Sequence, residues 1–358
     1  MDKINRIETI GEAVDRLVTV PMSNWTILKG LPLMEIYQTA RDKAGKPLTL
    51  AAAKLLKDAV TPGDHVFILS GFIIKSFMLA ETDGPVGAAS LARALDIGLG
   101  AVPIVLTEES ITNTFAKTCS AAGLIVCDNE QLNTGGRGRK MMVRSFPVDH
   151  EAARKEAVRI IQQYRPKAVI AIERPGWNRK RVHHSGGGFD ISEITAKLDY
   201  VFLEAQKRGI TTIGIGDLGN EMGMGFVADA VRSKIPHAEK CLCPCEGGIA
   251  CDISADIGII CNISNWGAYG VEACLAALTG ELEVMHDADT ERFMIRECVR
   301  AGGIDPVSGM LRPYVDGESE DINAYIVEML RSIVRHATNE SIFTKSYRET
   351  WSGKQNGK

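Results

Sequence analysis

The sequence has no long hydrophobic run and little net charge. None of its 358 residues lies in a stretch of about 18 consecutive apolar residues, the length that a membrane-spanning helix needs. Its 41 lysines and arginines nearly balance 45 aspartates and glutamates, which gives a net charge of -4 with the two signs interspersed. Both features argue against a membrane or a nucleic acid as partner. We therefore expect the partner to be a small molecule.

Paired cysteine motifs are also missing. The nine cysteines are an odd number, and most lie in apolar runs such as "GLIVC" and "GIIC", where free cysteine acts as a small buried hydrophobe. "CLCPCEGGIAC" spaces Cys241, Cys243 and Cys245 as C-x-C-x-C, without the C-x-x-C pairs of familiar zinc sites, and Cys251 follows. We interpret these residues as packed or exposed loop thiols, with a structural metal as the less favoured alternative.

A Walker phosphate loop and the apolar core of a signal peptide are absent as well. No segment has the G-x-x-x-x-G-K-[ST] spacing, and "TGGRGRK" (134–140) fits a basic hairpin or a mobile loop at least as well as a phosphate cradle, and could serve as a lid. The opening "MDKINRIETIGEAVDRL" carries charges where a signal peptide has an apolar core. We expect a cytoplasmic protein.

Short β-branched runs alternate with longer helical patterns, which indicates an α/β fold. Several runs are continuously apolar, as in strands covered on both faces. We predict a mostly parallel sheet with helices on both faces, a Rossmann-like three-layer arrangement, with helical N- and C-terminal extensions. The predicted strands are His65 to Gly71, Val102 to Thr107, Gly123 to Cys127, Met141 to Val148, Lys167 to Ile172, Thr211 to Gly216 and Ile257 to Ile263. The predicted helices are Ala88 to Leu95, Ile111 to Ala122, Glu151 to Tyr164, Ser192 to Arg208 and Val271 to Leu278.

The ends of the chain look helical. We predict a helical N-terminal extension over 1–60, an α/β core over 61–280, and a C-terminal helical extension with a polar tail over 281–358, all in one compact unit. The core helix at Ser192 has Asp190 as a candidate N-cap. Near the C-terminus the segment Asp321 to Ala337 is amphipathic, and its apolar face, together with that of the helical N-terminal region, favours a homo-oligomer.

Glycine-bearing polar loops follow four of the predicted strands. These loops are "ETDGPVGAASLARAL", "ERPGWNRKRVHHSGGGFD", "DLGNEMGMG" and "SNWGAYG". The carboxyl ends of parallel strands share one edge of a sheet, where ligands bind, so residues far apart in sequence can converge there. The candidates are Glu81, Asp83, Gly84, Gly87, Glu173, Asn178, His183, His184, Asp190, Asp217, Asn220, Glu221, Ser264, Asn265 and Trp266.

Together these four motifs resemble those of the D-glutamate cyclase family. The resemblance runs from about Leu48 to about Leu278. It implies conversion of D-glutamate to 5-oxo-D-proline and water, with a divalent cation such as manganese or magnesium. A related small amino acid or cyclic amide is an alternative substrate.

The residue types fit such a reaction, which needs a polarised carboxyl group and a proton acceptor for the amine. Oxygen ligands that Mg²⁺ or Mn²⁺ prefer are offered by Asp217, Asn220 and Glu221, joined by Glu81 or Asp83. Glu173 is the predicted general base, and His183 or His184 the proton donor. These histidines are adjacent, so at most one is expected to enter the site, and the sequence does not decide which.

Backbone amides can complete the predicted site. The loops with Gly84 and Gly87 and with Ser264, Asn265 and Trp266 open helices whose amides can hold the substrate carboxylates. Other readings stay open: a hydrolase or hydro-lyase that opens a lactam or hydantoin-like ring, and a non-catalytic small-molecule binding protein. A nucleotide-dependent ligase is a weaker alternative because no phosphate loop is recognisable.

Overall fold

The protein is described by a computed structural model that covers residues 3–22, 32–132 and 138–338. The strands are β1 (His65–Ser70), β2 (Ile73–Ile74), β3 (Leu79–Ala80), β4 (Val102–Thr107), β5 (Ile125–Val126), β6 (Lys140–Ser145), β7 (Ala168–Ile172), β8 (Thr211–Gly216), β9 (Ile257–Ile260), β10 (Tyr314–Val315) and β11 (Glu318–Ser319). The helices are α1 (Lys3–Val18), α2 (Leu33–Ala44), α3 (Leu48–Ala59), α4 (Pro85–Leu99), α5 (Thr112–Ala121), α6 (Asn129–Leu132), α7 (His150–Tyr164), α8 (Asp199–Lys207), α9 (Ala228–Lys234), α10 (Ser264–Thr279), α11 (Ala288–Arg300) and α12 (Glu320–Thr338).

Seven strands form one parallel sheet in the order β5-β6-β4-β1-β7-β8-β9. The central strands are buried along nearly their whole length, as their apolar sequences predict. Helices cover the sheet in a three-layer α/β arrangement. The predicted fold class is confirmed, and each of the seven predicted strands coincides with a strand of this sheet.

Strand β1 lies where the strand order changes direction. The chain runs from β1 outward through β4 on one side, then returns to place β7 on the other side of β1, followed by β8 and β9. The loops at the carboxyl ends of β1 and β7 therefore diverge and leave a crevice between them, which is where open α/β sheets bind ligands.

Helix α10 is the most buried helix of the core. It packs against α3, α4 and α12, and residues 264–277 are all buried. Gly267 permits close contact with the sheet, since a Cβ there would lie 2.5 Å from Cγ2 of Ile215. Its first residues reach the carboxyl edge of the sheet, so this helix carries side chains into the crevice.

One predicted helix begins later than expected. The pattern after Asp190 predicts a helix from Ser192, but α8 begins at Asp199, and the Asp190 carboxylate accepts a hydrogen bond from the Ser192 amide. Tertiary contacts hold the intervening turns: the Ala196 amide donates to Glu108 and its carbonyl accepts from Arg174. These contacts override the local helical signal.

The terminal regions contain further elements. Helices α1, α2 and α3 occupy the N-terminal region, and α12 occurs where the amphipathic segment predicted a helix. Helix α11 and the hairpins β2–β3 and β10–β11 were not predicted. Residues 133–137 of the basic loop lie outside the described residues. The division into three regions stays a prediction.

The apolar face of α12 is covered within the chain. Ile326, Val327, Leu330 and Val334 are buried where α12 packs on α1, α10 and α11. This packing removes the argument for an oligomer that rested on that face, and the oligomeric state stays a prediction. Among the described residues no helix combines the length and the apolar character needed to cross a bilayer.

Candidate active site: an acidic cavity at the switch point

A cavity of about 250 Å³ opens in the crevice beside β1, β7 and β8. This volume is below the roughly 300–1,000 Å³ of sites for drug-sized ligands, so it suits a small metabolite. Its lining consists of Phe72, Ile74, Glu81, Glu173, Ser185, Gly186, Gly187, Asp217, Leu218, Asn220, Glu221, Pro306 and Asp316. Five of these residues are acidic, and no lysine, arginine or histidine lines the cavity within the described part of the chain.

The carboxylates form two overlapping groups that could hold a cation. One oxygen each from Asp83, Asp217 and Asp316 lies within 4.8 Å of the others, and the same is true of Glu173, Asp217 and Glu221. Asp217 belongs to both groups. The predicted carboxylates from the loops after β3, β7 and β8 therefore do converge.

Backbone amides fix Asp83 in place. Its Oδ1 accepts hydrogen bonds from the amides of Gly84 (3.0 Å) and Asn265 (2.8 Å), and its Oδ2 accepts one from Ser264 (2.8 Å). The Asp83 carboxylate thus binds the amides of the first turn of α10, where the helix dipole favours an anion. The amides of this turn, predicted to hold a substrate carboxylate, already bind a carboxylate of the protein.

Asn265 uses the second predicted anion site in the same way. Its Oδ1 accepts from the amides of Gly84 (2.9 Å) and Gly87 (2.7 Å) at the start of α4, and its Nδ2 donates to the Thr82 carbonyl (3.3 Å). The side chain is fully buried. Asn265 therefore fastens the two helix starts together, and the Gly84 and Gly87 amides face Asn265.

The glycine-rich loop after β8 wraps around Glu221. The Glu221 carboxylate accepts from the amides of Asp217 (3.1 Å), Leu218 (2.8 Å) and Gly219 (2.6 Å). Gly216 leaves room for it, since a Cβ there would lie 2.7 Å from Oε2 of Glu221. Gly219 has a φ of +98°, which favours glycine. The glycines let the loop cradle its own carboxylate at the edge of the cavity.

Glu173 and Arg174 leave β7 in different directions. Glu173 has a φ of +37°, and its Oε2 accepts a hydrogen bond of 2.5 Å from the Ser264 hydroxyl. Arg174 is fully buried and pairs with Glu108, at 2.7 Å and 2.8 Å, and with the Gly71 carbonyl at 3.0 Å. The guanidinium charge is thus neutralised by Glu108, and Glu173 keeps a carboxylate at the cavity.

Burial and mutual repulsion perturb these groups. Burial is the largest cause and raises the pKa of Glu81, Glu173, Asp217 and Asp316 well above their usual values, with a further increase from neighbouring carboxylates. Burial also raises the pKa of Asp83, to about 7, against the lowering effect of its three amide hydrogen bonds. The cluster therefore needs protons or a cation near neutral pH.

The two predicted proton donors have other partners. The fully buried His183 has its Nε2 2.8 Å from Oδ2 of Asp199. His184 directs Nε2 toward the sulfur atoms of Cys243 (3.2 Å) and Cys245 (3.7 Å). Neither imidazole lines the acidic cavity. The adjacent side chains do diverge, as their positions predicted, but both point away from the carboxylates.

Three other predicted site residues bind partners outside the group of carboxylates, and one of the three lines the cavity. Asn178 accepts from the Lys180 and Val182 amides of its own loop and donates to the Gly248 carbonyl in the segment after α9. The Asn220 amide nitrogen donates to the His184 carbonyl at 3.0 Å. Asp190 borders a neighbouring groove beside Phe72. Asn220 is thus the one of these three that lines the cavity.

Trp266 belongs to the core. Its side chain is fully buried, and Nε1 donates to Oδ1 of Asn323 on α12 at 2.8 Å. The prediction that placed it beside the substrate does not match this position, because residue 266 faces away from the helix start that Ser264 brings to the cavity.

Asp316 is an acidic cavity residue that the sequence reasoning missed. It lies in the turn between β10 and β11, where Asp316 and Gly317 have φ values of +49° and +82°. The "DG" pair is a recognised hairpin signal and could have identified the turn. Nothing local indicates that this turn lies against Asp83 and Asp217, more than 90 residues away in sequence.

The fold and the cavity define an α/β protein with a small-molecule site at the switch point of a parallel sheet. A model of the family described as D-glutamate cyclase-like, C-terminal, matches residues 35–331. The chain belongs to this family, which confirms the resemblance seen in its motifs. The chain is also 38% identical over 111 residues to the mitochondrial D-glutamate cyclase of Homo sapiens, over 31% of this chain and 17% of the human protein.

Proposed function

We propose that this protein is an enzyme, a hydro-lyase that closes D-glutamate to 5-oxo-D-proline and water with the help of a divalent cation. The observation that carries the proposal is the acidic cavity, which gathers carboxylates from four loops without a lining cation among the described residues. The family adds the reaction class.

The cavity residues suit magnesium or manganese. Carboxylate oxygens are the ligands that these hard cations prefer. The Oε1 of Glu81 is buried without a hydrogen-bond partner, a costly arrangement that a cation would relieve. Asp217, with Asp83 and Asp316 or with Glu221, would hold the ion. When bound, it supplies Lewis-acid polarisation of the substrate's γ-carboxyl group and balances negative charge.

Glu173 is the base in this proposal. Ring closure requires a neutral α-amine, so the ammonium proton must pass to a nearby acceptor. Glu173 has a raised pKa, which makes it a stronger base than an exposed glutamate, and the Ser264 hydroxyl orients its carboxylate. Its left-handed backbone conformation turns the carboxylate toward the cavity.

An acid is also needed for the oxygen that leaves as water. Neither histidine reaches the cavity, so we assign this role to Glu173 as well. Ring closure takes two protons from the ammonium group, and Glu173 can accept each one and pass it to the departing oxygen, which leaves as water. Asp217 and Asp316 stay deprotonated as ligands of the cation.

The substrate would be held by charge and by backbone amides. Its ammonium group would lie against Glu173 and Glu81. Its α-carboxylate would meet the amides of Gly186 and Gly187, which line the cavity and form no hydrogen bond to a described residue. Fixing both ends brings the amine to the γ-carbon, and such orientation can lower a barrier by about 7–11 kcal/mol.

The test is a turnover assay on protein that has been treated with chelator and then supplied with Mn²⁺ or Mg²⁺. D-glutamate, L-glutamate and both enantiomers of 5-oxoproline are incubated separately and followed by chiral mass spectrometry. We expect metal-dependent interconversion of the D-forms. Asp217→Asn should abolish it, while Asp229→Asn, the same change at a fully exposed aspartate on α9, should not. Full turnover by metal-free protein or by Asp217→Asn would refute the proposal.

A further inference from the structure

A second cluster of metal-binding residue types lies outside the acidic cavity. Cys241, Cys243 and Cys245 follow α9, and His184 lies in the loop after β7, about 60 residues earlier. One ligand atom from each of the four residues lies within 4.8 Å of the others. The sequence offered the three thiols at an unfamiliar spacing, and the fold adds a histidine as the fourth group.

The distances within the cluster match a tetrahedral metal site. The sulfur of Cys241 lies 3.5 Å from that of Cys243 and 3.4 Å from that of Cys245. Nε2 of His184 lies 3.2 Å and 3.7 Å from the sulfurs of Cys243 and Cys245. In a tetrahedral zinc site, ligand sulfurs lie roughly 3.8 Å apart, and sulfur and nitrogen roughly 3.6 Å apart.

A disulfide does not account for this arrangement. Bonded sulfurs lie about 2.05 Å apart, and all three cysteines are free thiols. One thiol, that of Cys241, has both of the other sulfurs near it, whereas a disulfide joins only two. Three sulfurs and one imidazole nitrogen meeting at one point correspond to the Cys₃His set of structural zinc sites.

Hydrogen-bond donors around Cys245 stabilise the thiolate form of its side chain. The Gly247 amide donates to the Cys245 sulfur at 3.3 Å, and Nδ2 of Asn178 lies 3.6 Å from the same sulfur. Asn178 also donates to the Gly248 carbonyl. Gly248 has a φ of +76°, and a Cβ there would lie 1.9 Å from the Ala238 carbonyl oxygen, so the loop turns tightly back after Cys245.

We propose that His184, Cys241, Cys243 and Cys245 bind a structural zinc ion. Four protein ligands close the coordination sphere, which leaves no position for a substrate and separates this site from the acidic cavity. Binding would release the thiol protons and convert the three thiols to thiolates.

The site would stabilise one wall of the cavity. Ser185, Gly186 and Gly187, which follow His184 directly, line the cavity, and the His184 carbonyl accepts a hydrogen bond from Asn220. A zinc ion on the His184 imidazole would fasten this segment to the cysteine loop. His184 would then act as a ligand that positions the wall and not as a proton donor.

Metal analysis tests the proposal directly. Protein expressed in zinc-supplemented medium and purified without chelator should contain about one zinc per chain. Cys243→Ser and Cys245→Ser should weaken zinc binding by more than the roughly 10–100-fold that loss of an outer-shell partner costs. Cys251→Ala is the matched control, because its thiol lies on the same segment and bonds to the Ile253 backbone but does not belong to the cluster. Zinc-free, folded wild-type protein would overturn the proposal, as would equal zinc content in all variants.

Two further measurements use the wild-type protein and test the proposal even if the serine variants fail to fold. Cobalt(II) in place of zinc should give the visible absorption of a tetrahedral ion with thiolate charge transfer. In native protein, alkylation should spare Cys241, Cys243 and Cys245 until zinc is removed. An octahedral cobalt spectrum, or rapid alkylation of all three in zinc-loaded protein, would contradict the assignment.

His184→Cys separates the two roles of His184. This change creates a four-cysteine set that can still bind zinc. We expect the variant to keep both zinc and any turnover that the wild type shows, whereas His184→Ala should lose zinc. Retention of zinc with loss of turnover would show that the imidazole acts in the reaction and would refute its purely structural role.

Discussion

The acidic cavity and the network around His286 both bury carboxylates, but they balance charge differently. His286, on the segment between α10 and α11, lies 3.0 Å from Oε2 of Glu272 and 2.9 Å from Oε2 of Glu291, and Tyr269 donates to Glu291 at 2.7 Å. Burial lowers the pKa of His286, but the two carboxylates outweigh this and raise it to about 9. Here the chain supplies its own cation.

The cavity contains more carboxylates and no such partner. Arg174, which follows Glu173 in the chain, is engaged by Glu108, and the described lining holds no basic group. A compensated buried network contributes to a unique, stable fold, whereas an uncompensated one raises the free energy of the ligand-free protein and favours binding of a cation. The contrast assigns the network around His286 to the stability of the fold and the acidic cavity to the binding of a ligand.

The largest expected effect is on turnover. Glu173→Gln keeps the shape of the side chain and the contact with Ser264 but removes the base. We expect metal-dependent turnover to fall by about 10²–10⁴-fold, with an unchanged melting temperature. Glu151→Gln, at an exposed position on α7, is the control. Wild-type turnover in the Glu173→Gln variant would exclude Glu173 as the base.

The next effect is on stability. His286→Ala leaves Glu272 and Glu291 buried without their cation, which should lower the free energy of unfolding by about 3–5 kcal/mol. Denaturant titration measures it. His150→Ala removes an exposed histidine that contacts Tyr200 and should cost less than about 0.5 kcal/mol. Similar losses in both variants would show that the network around His286 is not a source of stability.

The same network predicts a dependence on pH. The folded-state pKa of His286 is about 9, above its usual 6.5, so folding favours the protonated form. Its contribution is fully present below pH 6.5 and is lost as the pH rises through about 9, by up to about 3 kcal/mol. Comparing wild type with His286→Ala between pH 6 and 10 isolates it, since the variant should lack this step.

The smallest expected effect is the stabilisation of the folded protein by a divalent cation, measured by thermal unfolding. A divalent cation at 100 times its Kd should stabilise the wild type by about 2.7 kcal/mol. Asp217→Asn should reduce that gain. Without metal, its melting temperature should stay the same or rise slightly, because one of several repelling carboxylates is gone. A variant that gains as much from Mn²⁺ as wild type would show that Asp217 does not contact the ion.

The core of the fold was predictable because its signals are local. Continuous apolar runs identify the strands of the parallel sheet, and the loops that follow them must meet at one edge. This topological reasoning suffices to bring Glu81, Asp83, Glu173, Asp217 and Glu221 together. It cannot give side-chain direction, which is why the partners of His183 and His184 were not foreseen.

Other features depend on long-range packing. Asp316 reaches the cavity because the β10–β11 hairpin docks on the core, and the helix predicted from Ser192 is shortened by Arg174 and Glu108. The cysteine loop needs His184 from a distant segment to complete a recognisable ligand set. In each case the deciding contact joins residues whose separation in sequence carries no pattern.

The amides at the starts of α4 and α10 already bind side chains of the protein, and this bears on whether a nucleotide drives the reaction. Asp83 and Asn265 use the amides that could otherwise cradle a phosphate. The proposed reaction activates the γ-carboxyl group with a cation and without an acyl phosphate, so no nucleotide hydrolysis drives ring closure. A catalyst without such a drive accelerates both directions equally. The relative concentrations of the open amino acid and its lactam would therefore decide which one the protein produces.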